Sequence, residues 1–282
     1  MVIGLHDTTT TETQKIQRLH REEISDSRHH LPMIHNQKEV LEYWNDNEVE
    51  SMYDKYLLNS EIALLLKHVP EGAKVLDAGC GEAEGTIAYS SVAGTTVHAV
   101  DFSTTRLAKA RERLAGRTNV TCQQVDFLGT YELDKDYDVV ISQRFLINLM
   151  EWELQQRVLL DLASMVKPGG HLLLLEGSKQ GVDALNEFRI ALGLEPIPVK
   201  WHNLFFDDQA LTEFMTQNGC SLVSEDGLGT YFMLTRGVRP VLDQSLNWDS
   251  EFNRLAASER VDELLRLGAK FSRLKLWAFQ KH

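Results

Sequence analysis

The sequence predicts an α/β fold built on a mainly parallel sheet, and three observations carry that prediction. Short apolar runs alternate with amphipathic segments from about residue 70 to residue 180. The first of these runs ends in a glycine turn, VLDAGCGEAEG at 75–85. Strand-like segments then return late in the chain, after the alternation has stopped. Strands spaced about 20–30 residues apart with helices between them imply parallel pairing through right-handed crossovers.

Taken in order, residues 1–30 are polar and threonine-rich, then weakly helical through KIQRLHREEI, which predicts a frayed tip and a short helix. From Lys38 to Val69 two amphipathic helices are expected. Val40, Leu41 and Trp44 make one apolar stripe, and Met52, Tyr56, Ile62, Leu65 and Leu66 continue it. VPEGAK ends the second helix. Strands are expected at KVLDAG (74–79), TVHAVD (96–101), VTCQQVD (120–126), YDVVISQ (137–143) and GHLLLLEG (170–177). Helices fall between them at TTRLAKARERLAG and EWELQQRVLLDLASMV, the latter stopped by KPGG at 167–170. Residues 178–218 read as an insertion: helical at GVDALNEFRIALG, irregular through LEPIPVKWHNLFFDD, and helical again from Asp208 to Gln217. Strand signals return in GTYFMLTRGV and, after a helical insert at 249–267, in FSRLKLWAFQK. Two such strands would form an antiparallel hairpin at one sheet edge. The expected organisation is an N-terminal helical cap over 1–69 and one domain over 70–282, with insertions near 178–218 and 240–269.

Composition narrows the function. The 282 residues are 43% hydrophobic, enough for a packed core, and carry a formal charge of −12. That charge argues against a nucleic-acid partner and against an anionic membrane surface, both of which select for Lys and Arg. No apolar stretch reaches bilayer length and no basic-then-apolar leader opens the chain. The three cysteines, Cys80, Cys122 and Cys220, form no C-x-x-C pair and suit reduced thiols in a cytoplasmic protein. The histidines of RHH (28–30) with His35 lack a Cys or carboxylate at ligand spacing, so no metal is expected. His98 lies inside the second strand and reads as packed. The amphipathic insert near 249–267 can pack within the chain or against a second copy, as in a homodimer.

The glycine turn poses the choice of ligand. Gly79, Gly81 and Gly85 read G-x-G-x-x-x-G, one residue off the dinucleotide fingerprint, with Glu84 at the third glycine's position. Asp77, Glu82 and Glu84 cluster there, and three carboxylates would repel a pyrophosphate that wants bare helix-start amides. They would attract a ligand bearing an ammonium and a sulfonium, and S-adenosylmethionine has both. Asp101 ends the second strand about 20 residues on, the usual place for an acid that grips ribose hydroxyls. Asp126 and Phe127 end the third strand, where a carboxylate can take an adenine amino group and an aromatic can cover the ring.

Together VLDAGCGEAEG, VHAVDFS, QQVDFLG, YDVVISQRFLINL and VKPGG resemble, in order and spacing, the class I S-adenosylmethionine-dependent methyltransferases. The resemblance implies a Rossmann-like seven-stranded, mostly parallel sheet with an antiparallel last strand. It places Gly79, Cys80 and Gly81 along the methionine part of the cofactor, Asp101 and Phe102 at ribose and adenine, and Asp126 and Phe127 at the adenine edge. Gln143 would lie near the methionine moiety or the transferring methyl. Asp77 is either a ligand contact or a carboxylate that fixes the loop. Tyr43, Trp44, Tyr53 and Tyr56 stand in the segment that folds over the cofactor in related enzymes, and Trp44 is the contact expected.

Acceptor residues should follow the fourth and fifth strands and come from the insertions, because ligands sit beyond the carboxyl ends of parallel strands. Arg144 offers a bidentate fork for a carboxylate or phosphate, or else an ion pair with an acid such as Glu176. Asn148 and Glu176 are further candidates, with Trp201, His202 and Asn203 from KWHNLFFDD. His202 is the candidate general base for a hydroxyl acceptor, or a histidine capping a lid. Residues 138–210 also resemble a subgroup of these enzymes found with surface-polysaccharide assembly, which act on acidic ulosonic sugars at glycan ends. That likeness implies O-methylation of a small acidic hydroxylated acceptor. The alternatives are an N- or carboxyl methyltransferase of small molecules, a non-catalytic S-adenosylmethionine-binding protein, and a dinucleotide oxidoreductase, which the acid cluster disfavours.

Overall fold

Strand β1 (Lys74–Ala78) is buried along nearly its whole length, as a strand covered on both faces must be. It pairs in parallel with β2 (Thr96–Asp101) on one side and β4 (Tyr137–Gln143) on the other. The computed structural model describes residues 37–46, 48–49, 52–243, 245 and 247–282, which fall within one compact unit, Asn36–His282. The expected frayed tip and helix of 1–30, RHH and His35 lie outside the described residues.

The sheet has seven strands in the order β3-β2-β1-β4-β5-β7-β6, with β3 at Val120–Gln124, β5 at Val166–Gly177, β6 at Cys220–Gly227 and β7 at Leu274–Lys281. All neighbours run parallel except β7, which is antiparallel to both β5 and β6. This is the Rossmann-like arrangement expected, with one antiparallel strand set inside the far edge. The helices are α1 (Gln37–Asn45), α2 (Lys55–Leu66), α3 (Glu84–Tyr89), α4 (Thr104–Arg113), α5 (Trp152–Met165), α6 (Lys179–Ala191), α7 (Asp208–Gln217), α8 (Gly229–Phe232), α9 (Arg239–Leu242), α10 (Glu251–Ala256) and α11 (Glu259–Leu265). None of them is long and apolar enough to cross a membrane.

Alternate residues of the strands build two cores. Leu76, Val140, Leu172, Leu174, Trp277 and Phe279 face α5 through Val158, Leu159 and Leu162. Val75, Val139, Ile141, Leu173 and Leu276 face α2 through Leu64 and Leu65, with Tyr89 beside them. Burial of both faces accounts for the uninterrupted LLLL of β5.

Two expectations are corrected. GTYFMLTRGV is not a strand: it forms α8 and a π-helical stretch, Met233–Val238, and Tyr231 and Phe232 are buried against Leu57, Leu185 and Ala256. The strand partner of β7 is instead the polar CSLVSEDG of β6, which can be half-exposed because it is the sheet edge. The buried stripe of α2 is also turned from the one expected and runs through Leu57, Leu58, Glu61, Leu64 and Leu65.

Candidate functional site

The glycine turn leaves β1 in a left-handed conformation. Gly79 has φ +75°, and a Cβ there would stand 2.5 Å from the Cβ of Phe145, so only glycine fits. The backbone N–H groups of Gly79 and Cys80 both donate to the Val100 carbonyl, at 2.8 and 3.0 Å. Cys80 is buried, and that burial pushes its thiol up, so it lines the turn as an inert packed side chain. Gly81, φ +55°, opens onto free space where a Cβ would point. Asp101 ties the turn to the end of β2: its Oδ2 accepts from Gly81 N at 2.9 Å and its Oδ1 from Ser103 N at 2.8 Å. Asp77 is buried beneath the turn and accepts from Thr86 Oγ1 at 2.6 Å; burial pushes its carboxyl up to about 7.

The expected acid cluster is largely neutralised. Glu82 lies 3.4, 3.0 and 3.0 Å from Arg106, Lys109 and Arg113, and Glu84 lies 2.8 Å from Arg113. These cations come from α4, whose sequence places them on the face that meets the turn. Little negative charge is therefore left at the rim, and burial raises the carboxyls of both Asp77 and Asp101 beneath it.

On the adenine side Phe102 is half-buried, with its carbonyl held by Gln124 Nε2. Asp126 is exposed and closes a turn onto Leu128 N at 2.9 Å. Phe127 departs from its expected place. Its ring is 4% exposed and packs against Tyr131 and Phe145, so it supports the turn from the core instead of covering a ligand ring.

At the carboxyl end of β4 the structure places a residue that the sequence reading missed. Glu61 of α2, fully buried, accepts from Gln143 Nε2 at 2.7 Å and forms an ion pair with Arg144, whose Nε is 3.1 Å from Oε2. Tyr89 of α3 donates to Gln143 Oε1 at 3.2 Å. Burial raises the Glu61 carboxyl and Arg144 opposes that rise. Arg144 itself holds φ +54°, a strained conformation for a residue with a side chain. The ion pair foreseen for Arg144 thus exists, but with Glu61 and not with Glu176. Glu176 does not face an acceptor either. It is wholly buried, and its carboxylate accepts from Ser142 Oγ and from the backbone N–H groups of Phe145, Leu146 and Ile147 at 2.6–3.2 Å. It fixes the turn that follows β4.

A cover lies across these strand ends. Trp44 donates from Nε1 to Asn148 Oδ1 at 2.9 Å, and Gln37 both donates to Asn148 O and accepts from Met150 N. Arg106 lies over the Trp44 ring and donates to the Trp44 and Val49 carbonyls. The 201–207 segment is stitched to the sheet by Leu204 N to Ile147 O at 2.7 Å and Phe206 N to Gly177 O at 2.9 Å. His202, 4% exposed, stacks on Tyr43 with ring centroids 4.7 Å apart and meets Trp44 and Trp201 edge-on. Asn203 sits beside it with its Oδ1 buried and without a hydrogen bond. Trp44, Asn148, Trp201, His202 and Asn203 are therefore brought together, whereas Glu176 and Phe127 are not. Tyr53 is exposed. His98 is held by a 2.8 Å hydrogen bond to Tyr137 and is packed, as expected.

Residues 75–170 match the family described as a methyltransferase domain. A demethylmenaquinone methyltransferase from Staphylococcus carnosus is 26% identical over 168 residues, 59% of this chain and 68% of its own. One from Bacillus licheniformis is 31% identical over 116 residues, 40% of this chain and 49% of its own. The chain thus spans about half the length of curated relatives such as the Bacillus enzyme. Among solved structures, the geranyl diphosphate C-methyltransferase of Streptomyces coelicolor superposes with a TM-score of 0.56 at 13% identity, over 87% of this chain and 98% of that one. The [4+2]-cyclase SpnF does so with a TM-score of 0.53 at 17% identity, over 85% of each chain. At such identities the likeness is one of fold.

Proposed function

We propose, from the premise that residues 75–170 form a class I S-adenosylmethionine-dependent methyltransferase domain, that the chain methylates a hydroxyl oxygen of a small molecule. The cofactor of the domain is S-adenosylmethionine, which supplies an electrophilic methyl group on a sulfonium. Three features fit it: the space that Gly81 leaves open, the Asp101 carboxylate at the end of β2, and the engagement of the α4 cations by Glu82 and Glu84, which withholds them from a diphosphate.

The observation that carries the acceptor reading is His202, buried in a segment stitched to the ends of β4 and β5 and stacked on a residue of α1. Asp101 orients the ribose side. Helix α1 and the 201–207 segment keep water from the strand ends, which sharpens every charge interaction there. His202 takes the hydroxyl proton at a ring nitrogen as the methyl is transferred, and Asn203 and Asn148 orient the acceptor.

The narrower reading, an acidic sugar or glycan end, drew on Arg144 as an anion fork. With Glu61 on that guanidinium the site requires no anionic group of its acceptor. A sugar acid therefore stands beside neutral alcohols as a hydroxylated acceptor, and demethylmenaquinone, suggested by the names of the relatives, is the rival carbon acceptor, because the methyl it lacks belongs on a ring carbon.

Incubating the purified protein with methyl-labelled S-adenosylmethionine and these three acceptor classes, together with amines and carboxylates, tests the proposal. Label on an oxygen of a hydroxylated acceptor supports it. Transfer confined to amines, carboxylates or a ring carbon of demethylmenaquinone overturns the hydroxyl-oxygen reading and the role given to His202 as a hydroxyl base. Cofactor binding without transfer to any acceptor would make this a binding protein. The cyclase neighbour carries the same fold under a name that is not a methyltransferase's.

A further inference from the structure

Among the described residues, Glu61 Oε1 is the one buried carboxylate oxygen left without a hydrogen bond. Its sister Oε2 is engaged by Gln143 and Arg144. Native structures rarely leave such an atom orphaned, because a buried acceptor without a donor loses its hydration and regains nothing. A fully buried carboxylate with half its capacity unused calls for a donor that arrives with a ligand.

Position says which ligand and which part of it. Ser142 is the register partner of Ala78, so Gln143 and Arg144 leave β4 beside Gly79 as it leaves β1. Asp101 marks the ribose side on β2, and the sheet order runs β3, β2, β1, β4. A cofactor lying along these ends with its nucleoside toward β2 carries its amino-acid end toward β4. Of the other carboxylates near the turn, Asp101 stands on the nucleoside side, Asp77 is engaged by Thr86, and Glu82 and Glu84 by α4. Resting on the cofactor assignment above, we infer that Glu61 Oε1 receives the ammonium group of the methionine moiety. The Arg144 guanidinium on the other oxygen opposes the protonation that burial favours. The strained backbone of Arg144 is then the cost of setting that pair at the strand end.

The test compares two ligands by calorimetry. S-adenosylhomocysteine carries the amino-acid end; 5′-methylthioadenosine keeps the nucleoside and the sulfur but lacks it. A charge-assisted hydrogen bond of this kind corresponds to roughly a 10- to 100-fold change in affinity. Glu61→Gln is expected to weaken S-adenosylhomocysteine by that factor and to leave 5′-methylthioadenosine within about twofold, with Glu61→Asp recovering part of the loss. Equal losses for both ligands would mean that Glu61 only supports the fold, and no loss for either would mean that the oxygen meets no ammonium; each overturns the inference alone. A wild-type protein that binds neither ligand overturns the cofactor assignment and the inference with it.

Discussion

Trp44 and Asn148, 104 residues apart, share a 2.9 Å hydrogen bond from the indole Nε1 to the amide Oδ1. Asn148 also donates to the Arg144 and Phe145 carbonyls, at 2.8 and 3.2 Å. One side chain thus joins the covering helix α1 to the strained turn after β4.

Trp44→Phe keeps a ring under Arg106 but deletes the bond to Asn148. The expected loss of stability is about 1 kcal/mol, concentrated in α1. Amide hydrogen exchange should speed up in Gln37–Asn45 while β1 and β4 stay protected. Unchanged exchange in α1 would show that the bond does not hold the cover.

The two turn glycines should respond differently to alanine. At Gly79 a Cβ meets Phe145 at 2.5 Å in a left-handed conformation, so Gly79→Ala should cost about 3 kcal/mol or more in urea unfolding. At Gly81 the space is open, and only the left-handed penalty of about 1–2 kcal/mol applies. Gly81→Ala should nevertheless weaken S-adenosylhomocysteine at least about tenfold, because the methyl fills the space offered to the ligand. A Gly81→Ala protein with native affinity would place the cofactor elsewhere.

Glu176 gives a pH signature. Burial raises its carboxyl from 4.5 to about 7 against the pull of its four donors. A carboxyl with a higher pKa folded than unfolded binds its proton more tightly in the native state, so its contribution is complete below about 4.5 and fades as pH rises through about 7. Stability should therefore fall across that window, by on the order of 3 kcal/mol from this group, and Asp77, raised to about 7, acts in the same direction. Urea midpoints measured from pH 5 to pH 8 should decline in the wild type and decline less in Glu176→Gln. Parallel slopes in the two proteins would contradict the assignment.

His202→Phe preserves the ring stacking on Tyr43 but removes both nitrogens. The expected result is a fall in kcat of about 10²- to 10⁴-fold with little change in cofactor affinity, the signature of a lost proton acceptor. A variant with native kcat would reduce His202 to a lid contact.

Much of the fold was legible because β1, β2, β4 and β5 are covered on both faces and write that burial as apolar runs, with KPGG and the glycine turn as punctuation. GTYFMLTRGV misled for the same reason. Tyr231 and Phe232 are enclosed all round by α2, α6 and α10, and an enclosed helix has no amphipathic stripe to distinguish it from a strand. β6 was missed because an edge strand need not be apolar.

At the site, the turn and Asp101 were readable from spacing. Pairings were not, since Glu82 meets Arg106, Lys109 and Arg113 only through the crossover geometry of α4. Glu61 did leave a trace: a lone acid in YLLNSEIALLL, three or four residues from leucines on either side, which sits at the centre of a buried helix face.

The placement of β7 between β5 and β6 fixes an order of assembly. β6 precedes β7 in the chain yet meets the sheet only through it. Everything strung between the two, including the π-helical stretch and the Arg236 that grips Asp54 at the start of α2, stays untethered at its sheet end until Leu274–Lys281 is laid against β5. The strand ends of β1 to β5 and the 201–207 segment stitched to them do not depend on that strand, whereas β6 and the helices strung between β6 and β7 take their place at the sheet edge only when it slots home.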